Sequence, residues 1–267
     1  FTPMREAIRL AWNYLDHRWQ SANADGHGVH SPFLFSFITD ILRDDHQYPV
    51  YRLPEQFRRE LLADHTAFDR LDLGAGSRKK RDQVTIRSMA QRSLQPEKWA
   101  QLLYRIIRQY RPGPVLELGT SFGVTTQYLA LADPTQPVYT LEGDPFIAAH
   151  AANQFIKCGL HLVEVIVGDF DDRLGETLSK MDAVGLALID GNHRKEPTLR
   201  YFEQLLPRVN NDSILIFDDV YWSASMQSAW AMIRSHPQVR CSIDLFRMGI
   251  VLFRSEFHEP LHIRLRY

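Results

Sequence analysis

The stretch that decides the fold runs from Val115 to Thr126 and reads VLELGTSFGVTT. Four residues form a short apolar run, a turn with two glycines follows, and a helical segment begins directly after the turn. A buried strand, a glycine turn and a helix in immediate succession form the unit from which parallel sheets are built. Glycines in such a turn let the backbone approach a ligand closely. The stretch therefore predicts an α/β sheet with a ligand near this turn.

The same alternation continues on both sides of this stretch. Predicted strands are Val115–Leu118, Val138–Leu141, Leu162–Val167, Val184–Ile189 and Ser213–Phe217. Predicted helices are Glu97–Tyr110, Val124–Ala132, Pro145–Lys157, Asp171–Lys180, Glu196–Leu206 and Ser223–His236. Val239–Phe246 and Gly249–Arg254 are joined by a turn too short for a crossover, so they form an antiparallel hairpin. We expect an α/β, Rossmann-like, doubly wound and mostly parallel seven-stranded sheet that ends in a C-terminal β-hairpin.

The first third of the chain has a different texture. Apolar residues recur at helical spacing between Pro3 and Trp19, and Ser31 followed by Pro32 predicts the start of a second helix that continues to Leu42. The segment from Leu53 to Gln95 is polar and highly charged. We therefore expect an N-terminal helical extension, a lid or a dimer surface, over residues 1–95, and a catalytic domain over residues 96–267.

Composition restricts the class of protein. The chain has 267 residues, with 31 Lys and Arg against 32 Asp and Glu, and a formal net charge of −1. A broad surface for nucleic acid or anionic membrane needs a basic excess, which is lacking here. The two cysteines are far apart, and no apolar run approaches the ~20 residues of a membrane span. These features predict a cytoplasmic protein without a membrane anchor.

Acidic residues follow three successive predicted strands. Glu117 precedes the glycine turn, where a carboxylate would repel a dinucleotide pyrophosphate and attract a cation. Glu142 ends the second strand, where an acid can accept both ribose hydroxyls. Asp169 and Phe170 end the third, where a hydrogen-bond acceptor and an aromatic ring suit an adenine. A cationic group, a ribose and an adenine together describe S-adenosylmethionine.

Three motifs carry a family resemblance. VLELGTSFG, YTLEGD and VGDF resemble the first three motifs of the class I S-adenosylmethionine-dependent methyltransferases, within a region from Pro96 to Arg254. The resemblance implies an S-adenosylmethionine cofactor. It assigns these cofactor-binding residues: Glu117, Gly119, Thr120, Ser121, Gly123, Glu142, Gly143, Asp169, Phe170 and Asp190.

The next two strands end in a cluster of acids, with Asp190 after one and Asp218 and Asp219 after the other. Neighbouring carboxylates at this density suit a hard cation such as Mg²⁺. The pattern resembles the catechol O-methyltransferase branch, which holds a divalent ion with two Asp and one Asn. The resemblance implies Asp190, Asp218 and Asp219 as metal ligands, although Asp219 stands where that branch has Asn. Related families use such acids without a metal, so both interpretations stay open.

Four residues near these acids are candidates for the reaction itself. His193 lies one turn beyond Asp190 and is predicted to be the general base, with Asp190 as its catalytic partner. The alternative is that His193 caps the helix that follows. Asn192, Tyr221 and Trp222 are predicted to bind the acceptor, the aromatic pair by packing on its ring. For Tyr221 and Trp222 the alternative is simple packing under the loop.

Several motifs near the N-terminus have no place in this scheme. The segment from Asp72 to Gly76 looks like a second cofactor loop, but no βα pattern follows it. The basic run Arg78–Arg81 suits either an anionic group or solvent, and His27 and His30 lack further zinc ligands. Four segments resemble a bacterial group of class I methyltransferases, and this resemblance names no substrate. The segments are HGVHSPFLF, DLGAGSRKKR, LIDGNHRKEPTLRYF and IFDDVYWSASMQSAW.

The leading hypothesis is a methyltransferase that acts on a hydroxyl oxygen of a small acceptor, such as an aromatic hydroxyl, with a divalent metal as an optional aid. An RNA or protein methyltransferase and a non-catalytic S-adenosylmethionine-binding module are the alternatives. The spacing of the glycine turn and Glu117 argue against an NAD-dependent oxidoreductase. We expect a small-molecule partner, no nucleic acid and a homodimer.

Overall fold

The computed structural model describes residues 2–21, 31–72 and 80–267. The helices are α1 Thr2–Gln20, α2 Pro32–Ser36, α3 Arg52–Ala63, α4 Ile86–Ser93, α5 Glu97–Tyr110, α6 Val124–Ala132, α7 Pro145–Lys157, α8 Phe170–Ser179, α9 Lys195–Leu205 and α10 Ala224–Arg234. The strands are β1 Ala67–Asp72, β2 Lys80–Thr85, β3 Val115–Leu118, β4 Val138–Glu142, β5 Val163–Val167, β6 Leu186–Ile189, β7 Ile214–Phe217, β8 Cys241–Asp244, β9 Gly249–Leu252 and β10 Leu261–Arg264.

Most of these strands belong to one mixed sheet. In the described part of the chain it has eight strands in the order β10-β8-β9-β7-β6-β3-β4-β5, and β1 and β2 form a separate antiparallel pair. The predicted α/β class and the mostly parallel sheet are confirmed. The prediction of seven strands missed β10, which pairs in parallel with β8. This short edge strand alternates apolar and polar residues and lacks the continuous apolar run that marks the buried strands.

The chain divides into two compact units, Phe1–Asp44 with Ala187–Tyr267, and Asp45–Leu186. Neither limit coincides with the predicted boundary between residues 95 and 96, which stays a prediction. The second unit contains three parallel strands, with β4 paired to β3 on one side and to β5 on the other. Helix α5 is buried in this unit from Ala100 to Ile107, and α3 contributes Phe57 and Leu61 to its core.

A hairpin within this second unit corrects the expectation of a purely helical extension. Strands β1 and β2 pair in antiparallel register, with Phe68 opposite Val84. Phe68 is buried and stacks on Phe146 at a centroid distance of 4.4 Å. The backbone N–H of Leu71 also donates to Asp144 Oδ2 at 2.6 Å. The high charge of the segment hid this hairpin, because charged residues lie on both faces of β1 and the strand shows no clean alternation of apolar and polar residues.

The first unit contains the last strands in sequence, β7 to β10, and the N-terminal helices α1 and α2. Strand β9 runs antiparallel to both β7 and β8, as the predicted hairpin requires. Gly249 is needed there, because a Cβ atom would lie 2.7 Å from the Trp230 ring. Ser31 caps α2 with its side chain, as predicted, but the helix continues from Phe37 to Leu42 in π-helical geometry.

Helix length and polarity bear on the membrane question. Among the residues that the structure describes, no helix is both long and apolar enough to cross a bilayer. His27, His30 and the segment from Leu73 to Lys79, with Arg78 and most of the second loop-like motif, lie outside the described residues.

Candidate active site

The turn after β3 has the backbone geometry that its glycines permit. Gly119 and Gly123 have φ angles of 113° and 81°, and Ser121 between them has a φ of 48°. A Cβ atom at Gly123 would lie 2.4 Å from the Phe155 ring of α7, so only glycine allows α6 to begin this close to α7. The N–H of Gly119 donates to the carbonyl of Leu141 at 3.0 Å, which ties the turn to β4.

Glu117 is a fully buried carboxylate at the end of β3. Its Oε2 accepts hydrogen bonds from the hydroxyls of Thr126 and Thr140, each at 2.6 Å. Because Thr140 donates its one proton to Glu117, the buried Thr120 hydroxyl donates to Thr140, also at 2.6 Å. The other carboxylate oxygen, Oε1, is buried without a hydrogen-bond partner. Burial raises the pKa of Glu117 to about 7.

An unpaired buried carboxylate oxygen is costly unless a ligand satisfies it. A cationic group bound beside Glu117 would supply the missing donor and stabilise the ionised form. Glu117 therefore has the chemistry expected of a site for an ammonium or sulfonium group. Thr120 is placed differently from the prediction, because its side chain supports Glu117 inside the core.

Replacing Glu117 with glutamine is expected to remove a pH-dependent loss of stability. Its pKa is about 7 in the folded protein against a reference value of 4.5. Its contribution to the free energy of unfolding is therefore largest below pH 4.5 and falls as the pH rises to about 7. Urea unfolding at pH 5 and pH 8 should show the E117Q variant gaining about 2 kcal/mol on the wild type between these values.

The exposed Glu164 of β5 is the matched control, since it pairs with Lys180 near the surface. E164Q should show no comparable gain over that pH range. The prediction would be contradicted if the free energy of unfolding had the same pH dependence in E117Q and in the wild type.

Glu142 connects the turns that follow β3 and β4. Its Oε2 accepts from the N–H of Ser121 at 2.8 Å, and its Oε1 accepts from the N–H of Asp144 at 2.9 Å. Burial raises the pKa of Glu142, and backbone hydrogen bonds from Asp144, Ser121 and Gly143 oppose the rise. The side chain is only partly covered, so a ligand can reach it. Glu142 thus fixes the loop geometry while part of its side chain stays accessible.

A third loop, at the carboxyl end of β5, lies beside the loops that follow β3 and β4. Asp169 caps α8 by accepting the N–H of Asp171 at 2.9 Å, and Phe170 is the first residue of that helix. Both side chains are partly exposed. Gly168 has a φ of 140° and donates its N–H to the carbonyl of Glu142 at 2.9 Å. Three predicted cofactor loops therefore meet at the carboxyl edge of β3, β4 and β5, as the parallel strands require.

In the unit that contains residues 187–267, the loops after β6 and β7 are neighbours, because the N–H of Asp218 donates to the carbonyl of Ile189 at 3.0 Å. Asp218 is 1% exposed, and its Oδ1 is buried without a hydrogen-bond partner. Burial and the charge of Asp218 raise the pKa of Asp219, and Arg247 opposes the rise.

Arg247 is the cation that balances these acids. Its Nη2 lies 3.3 Å from Asp218 Oδ2 and 3.7 Å from Asp219 Oδ1. Among the side chains of residues 9–19, 31–71 and 82–267, no three His, Cys, Asp or Glu are grouped to hold a metal ion. The predicted ligand set of Asp190, Asp218 and Asp219 does not fit a divalent cation in this arrangement, because a guanidinium already bridges two of its members.

His193 lies beside Asp190, with 3.8 Å between Nε2 and Asp190 Oδ1, and both side chains are partly exposed. The capping alternative for His193 is wrong. Helix α9 has Arg194 at its N-cap without a side-chain bond, and the N–H of Lys195 donates to Ser225 Oγ at 3.1 Å.

Asn192 holds the loop that carries His193. Its amide nitrogen donates to Tyr201 Oη at 3.0 Å, and its Oδ1 accepts from Arg194 Nε at 2.9 Å. Asn192 has a φ of 54° and Asp219 a φ of 53°. Left-handed backbone at residues other than glycine is strained and concentrates at functional sites.

The two aromatic candidates differ in environment. Tyr221 donates its hydroxyl to Asp244 Oδ2 at 2.9 Å and stacks on Phe246 at 4.8 Å. Trp222 is 64% exposed, and its carbonyl accepts from Arg9 of α1. Tyr221 is therefore a fixed part of the loop, whereas the Trp222 ring is accessible to a ligand.

Asp244 was not identified from the sequence, and it organises this region. It is buried, and it accepts hydrogen bonds from Tyr221, Trp230 and the N–H of Phe246. His17 of α1 lies 3.1 Å from its Oδ1. A lone acid inside an apolar strand, CSIDLF, is the one signal that pointed to Asp244.

Part of the chain is similar in sequence to known methyltransferases. The family model described as a methyltransferase domain matches residues 116–220. The human and chimpanzee proteins named transmembrane O-methyltransferase are each 37% identical over 113 residues, which is 39% of this chain and 37% of theirs. The chain thus spans little more than a third of the length of these curated relatives.

Solved structures share the fold at low identity. The O-methyltransferase TomG from Streptomyces achromogenes, in complex with S-adenosylmethionine, has a TM-score of 0.56 and 18% identity, over 83% of this chain and 95% of its own. The O-methyltransferase from Bacillus cereus, in complex with S-adenosylhomocysteine, has a TM-score of 0.55 and 17% identity, over 82% and 97%.

Proposed function

We propose that this chain, in which residues 116–220 match a methyltransferase domain, transfers the methyl group of S-adenosylmethionine to a hydroxyl oxygen of a small acceptor. The unpaired, buried Oε1 of Glu117 beside the glycine turn is the observation that carries the proposal. This oxygen is a hydrogen-bond acceptor for the cationic end of the methyl donor. The matched relatives named as O-methyltransferases support oxygen as the atom that is methylated.

The loops after β3, β4 and β5 supply the groups that the donor needs. Glu117 binds its ammonium group, Glu142 accepts its ribose hydroxyls, and Asp169 with Phe170 holds its adenine. Gly119, Ser121, Gly123 and Gly143 shape the backbone around it. When bound, S-adenosylmethionine supplies an activated methyl group on a positively charged sulfur.

His193 removes the proton that the acceptor hydroxyl must lose. Its Nε2 lies 3.8 Å from Asp190 Oδ1, and we assign Nδ1, the other ring nitrogen, as the atom that takes the proton. Asp190 stabilises the resulting imidazolium, since an adjacent carboxylate favours the charged ring. A base of this kind contributes roughly 10²–10⁴-fold to a rate.

The acceptor is proposed to be a small aromatic hydroxyl compound. The exposed Trp222 ring offers a flat apolar surface for it, and Tyr221 fixes the loop on which Trp222 lies. Asn192 keeps the His193 loop in its strained conformation. Magnesium is left out of the proposal, because Arg247 already bridges Asp218 and Asp219.

Other expectations from the sequence stay predictions. They are the cytoplasmic location, the homodimer, the domain boundary at residue 95 and membership of the bacterial group. Both cysteines are free thiols, which supports a reducing compartment. No contact of the described residues favours an RNA or protein substrate over a small molecule.

Calorimetric titration of S-adenosylmethionine into the purified chain tests the proposal, with NADH as the comparison ligand. We expect binding of S-adenosylmethionine and none of NADH. Transfer of a radiolabelled methyl group to a panel of catechols and phenols then tests catalysis. Failure to bind the methyl donor would overturn the proposal. Binding with transfer only to bulk RNA or protein would favour those alternatives, and binding without any transfer would favour a non-catalytic module.

A further inference from the structure

We propose that the guanidinium of Arg247 fills the position that a divalent cation occupies in metal-dependent enzymes of this kind, so the chain works without a metal. The inference deepens the proposed function and rests on it for its catalytic part. It concerns the acceptor side of the site, where Asp218 and Asp219 follow β7.

The position of Arg247 is fixed by its backbone. It lies in the turn between β8 and β9, where its N–H donates to the carbonyl of Leu245 at 2.9 Å. Its own carbonyl accepts the N–H of Val220 at 3.2 Å. Because Val220 directly follows Asp219, this bond joins the turn of Arg247 to the loop that carries both acids.

A buried network holds the same turn from the other side. Asp244 accepts the N–H of Phe246 at 2.9 Å, and Phe246, which has a φ of 69°, stacks on Tyr221. Asp244 is itself held by His17 and Trp230. The residue just before Arg247 is therefore held in place, so the backbone from which the guanidinium reaches the acids is fixed.

The charges explain why a metal is excluded. A guanidinium stays positive at any physiological pH, and here one of its nitrogens lies within 4 Å of two carboxylates. A divalent ion placed between Asp218 and Asp219 would meet this positive charge at short range. The Arg247 side chain is one-third exposed, so it can also contact an acceptor oxygen that becomes negative. It thereby provides the electrostatic stabilisation that a metal would otherwise give.

Asp218 also carries an unsatisfied oxygen. Its side chain is 1% exposed, and its buried Oδ1 has no hydrogen-bond partner. An orphan oxygen of this kind indicates a position that a ligand group completes. With Oδ2 engaged by Arg247, Oδ1 is left to accept a hydrogen bond from the acceptor hydroxyl, whose proton then passes to His193. The pair of Arg247 and Asp218 thus recognises a neutral hydroxyl and then its anion.

Binding of Mn²⁺ to the full-length chain tests the inference without any need for activity. Water-proton relaxation should detect no Mn²⁺ site at these acids in the wild type. R247A should bind Mn²⁺ at least tenfold more tightly than the wild type, and the added substitution D219N should abolish the gain. R247K keeps the positive charge and should not bind Mn²⁺. Comparing it with R247A separates the effect of lost charge from the effect of misfolding. Thermal melts confirm that each variant is folded.

Methyl transfer provides the second arm. Wild-type activity should be equal in EDTA and in Mg²⁺, and R247A should lose at least 100-fold in kcat. The matched control is R254A, since Arg254 pairs with Asp212 and Glu256 on the surface and should leave kcat unchanged.

The two arms separate the possible failures. Binding of Mn²⁺ by the wild type that D218N abolishes, or loss of wild-type activity in EDTA, would overturn the inference. Absence of Mn²⁺ binding in both the wild type and R247A would overturn it too, since the acids would then form no cation position. Failure of the wild type to bind S-adenosylmethionine would instead overturn the proposed function.

Discussion

Replacing Glu142 with alanine is expected to weaken S-adenosylmethionine binding about 100-fold. The substitution removes two charge-assisted hydrogen bonds that hold the N–H groups of Ser121 and Asp144, and it removes the acceptor for the ribose hydroxyls. Hydrogen bonds to a charged group contribute about 1.5–3 kcal/mol each, so losing the ribose contacts alone corresponds to a change of this size. Titration calorimetry at constant pH measures the dissociation constant.

The control for this prediction is E164A on the neighbouring strand β5. Glu164 is exposed and pairs only with Lys180 among the contacts described, at 2.7 Å, so its removal should leave affinity unchanged. E142Q should lie between E142A and the wild type, because its amide retains one acceptor. Wild-type affinity in E142A would mean that the ribose lies elsewhere.

Replacing His193 with alanine is expected to lower kcat by a factor of about 10²–10⁴. The variant loses the group proposed to take the acceptor proton, while Glu117, Glu142 and Asp169 belong to the other compact unit and keep their contacts. Affinity for S-adenosylmethionine should therefore stay the same. Single-turnover methyl transfer, measured beside the calorimetric affinity, separates the two effects.

H258A is the matched control, because His258 is exposed in the same unit. It should retain wild-type kcat. A retained kcat in H193A would assign the proton to another group, and a parallel loss of cofactor affinity would point to a structural role for His193.

The strand ends that carry the proposed cofactor residues were largely predictable because their signals are local. Each of β3, β4 and β5 is a short and mostly apolar stretch, and an acidic residue lies within two residues of its end. Parallel strands bring these ends to one edge whatever the details of packing. Glu117, Glu142 and Asp169 were found for this reason, and their hydrogen bonds were not needed to find them.

The acceptor half was predictable only in part. Asp190 and Asp218 were found as strand ends, but Arg247, the cation that pairs with Asp218, lies 29 residues beyond it in sequence. Arg247 is one of 31 basic residues, and nothing in its neighbours distinguishes it. Its role follows from a turn whose position depends on Asp244 and on His17 of α1, which are 227 residues apart.

The α/β class, the strand-end acids and the positions of the predicted cofactor loops follow from the amino-acid pattern alone, because hydrophobic period and glycine turns act over a few residues. Three features emerge only from the folded chain: Thr120 supports Glu117 from within the core, a hairpin follows α3, and an arginine stands between Asp218 and Asp219. Side chains that are distant in sequence set these features, and their charges and burial become defined only when the chain has folded around them.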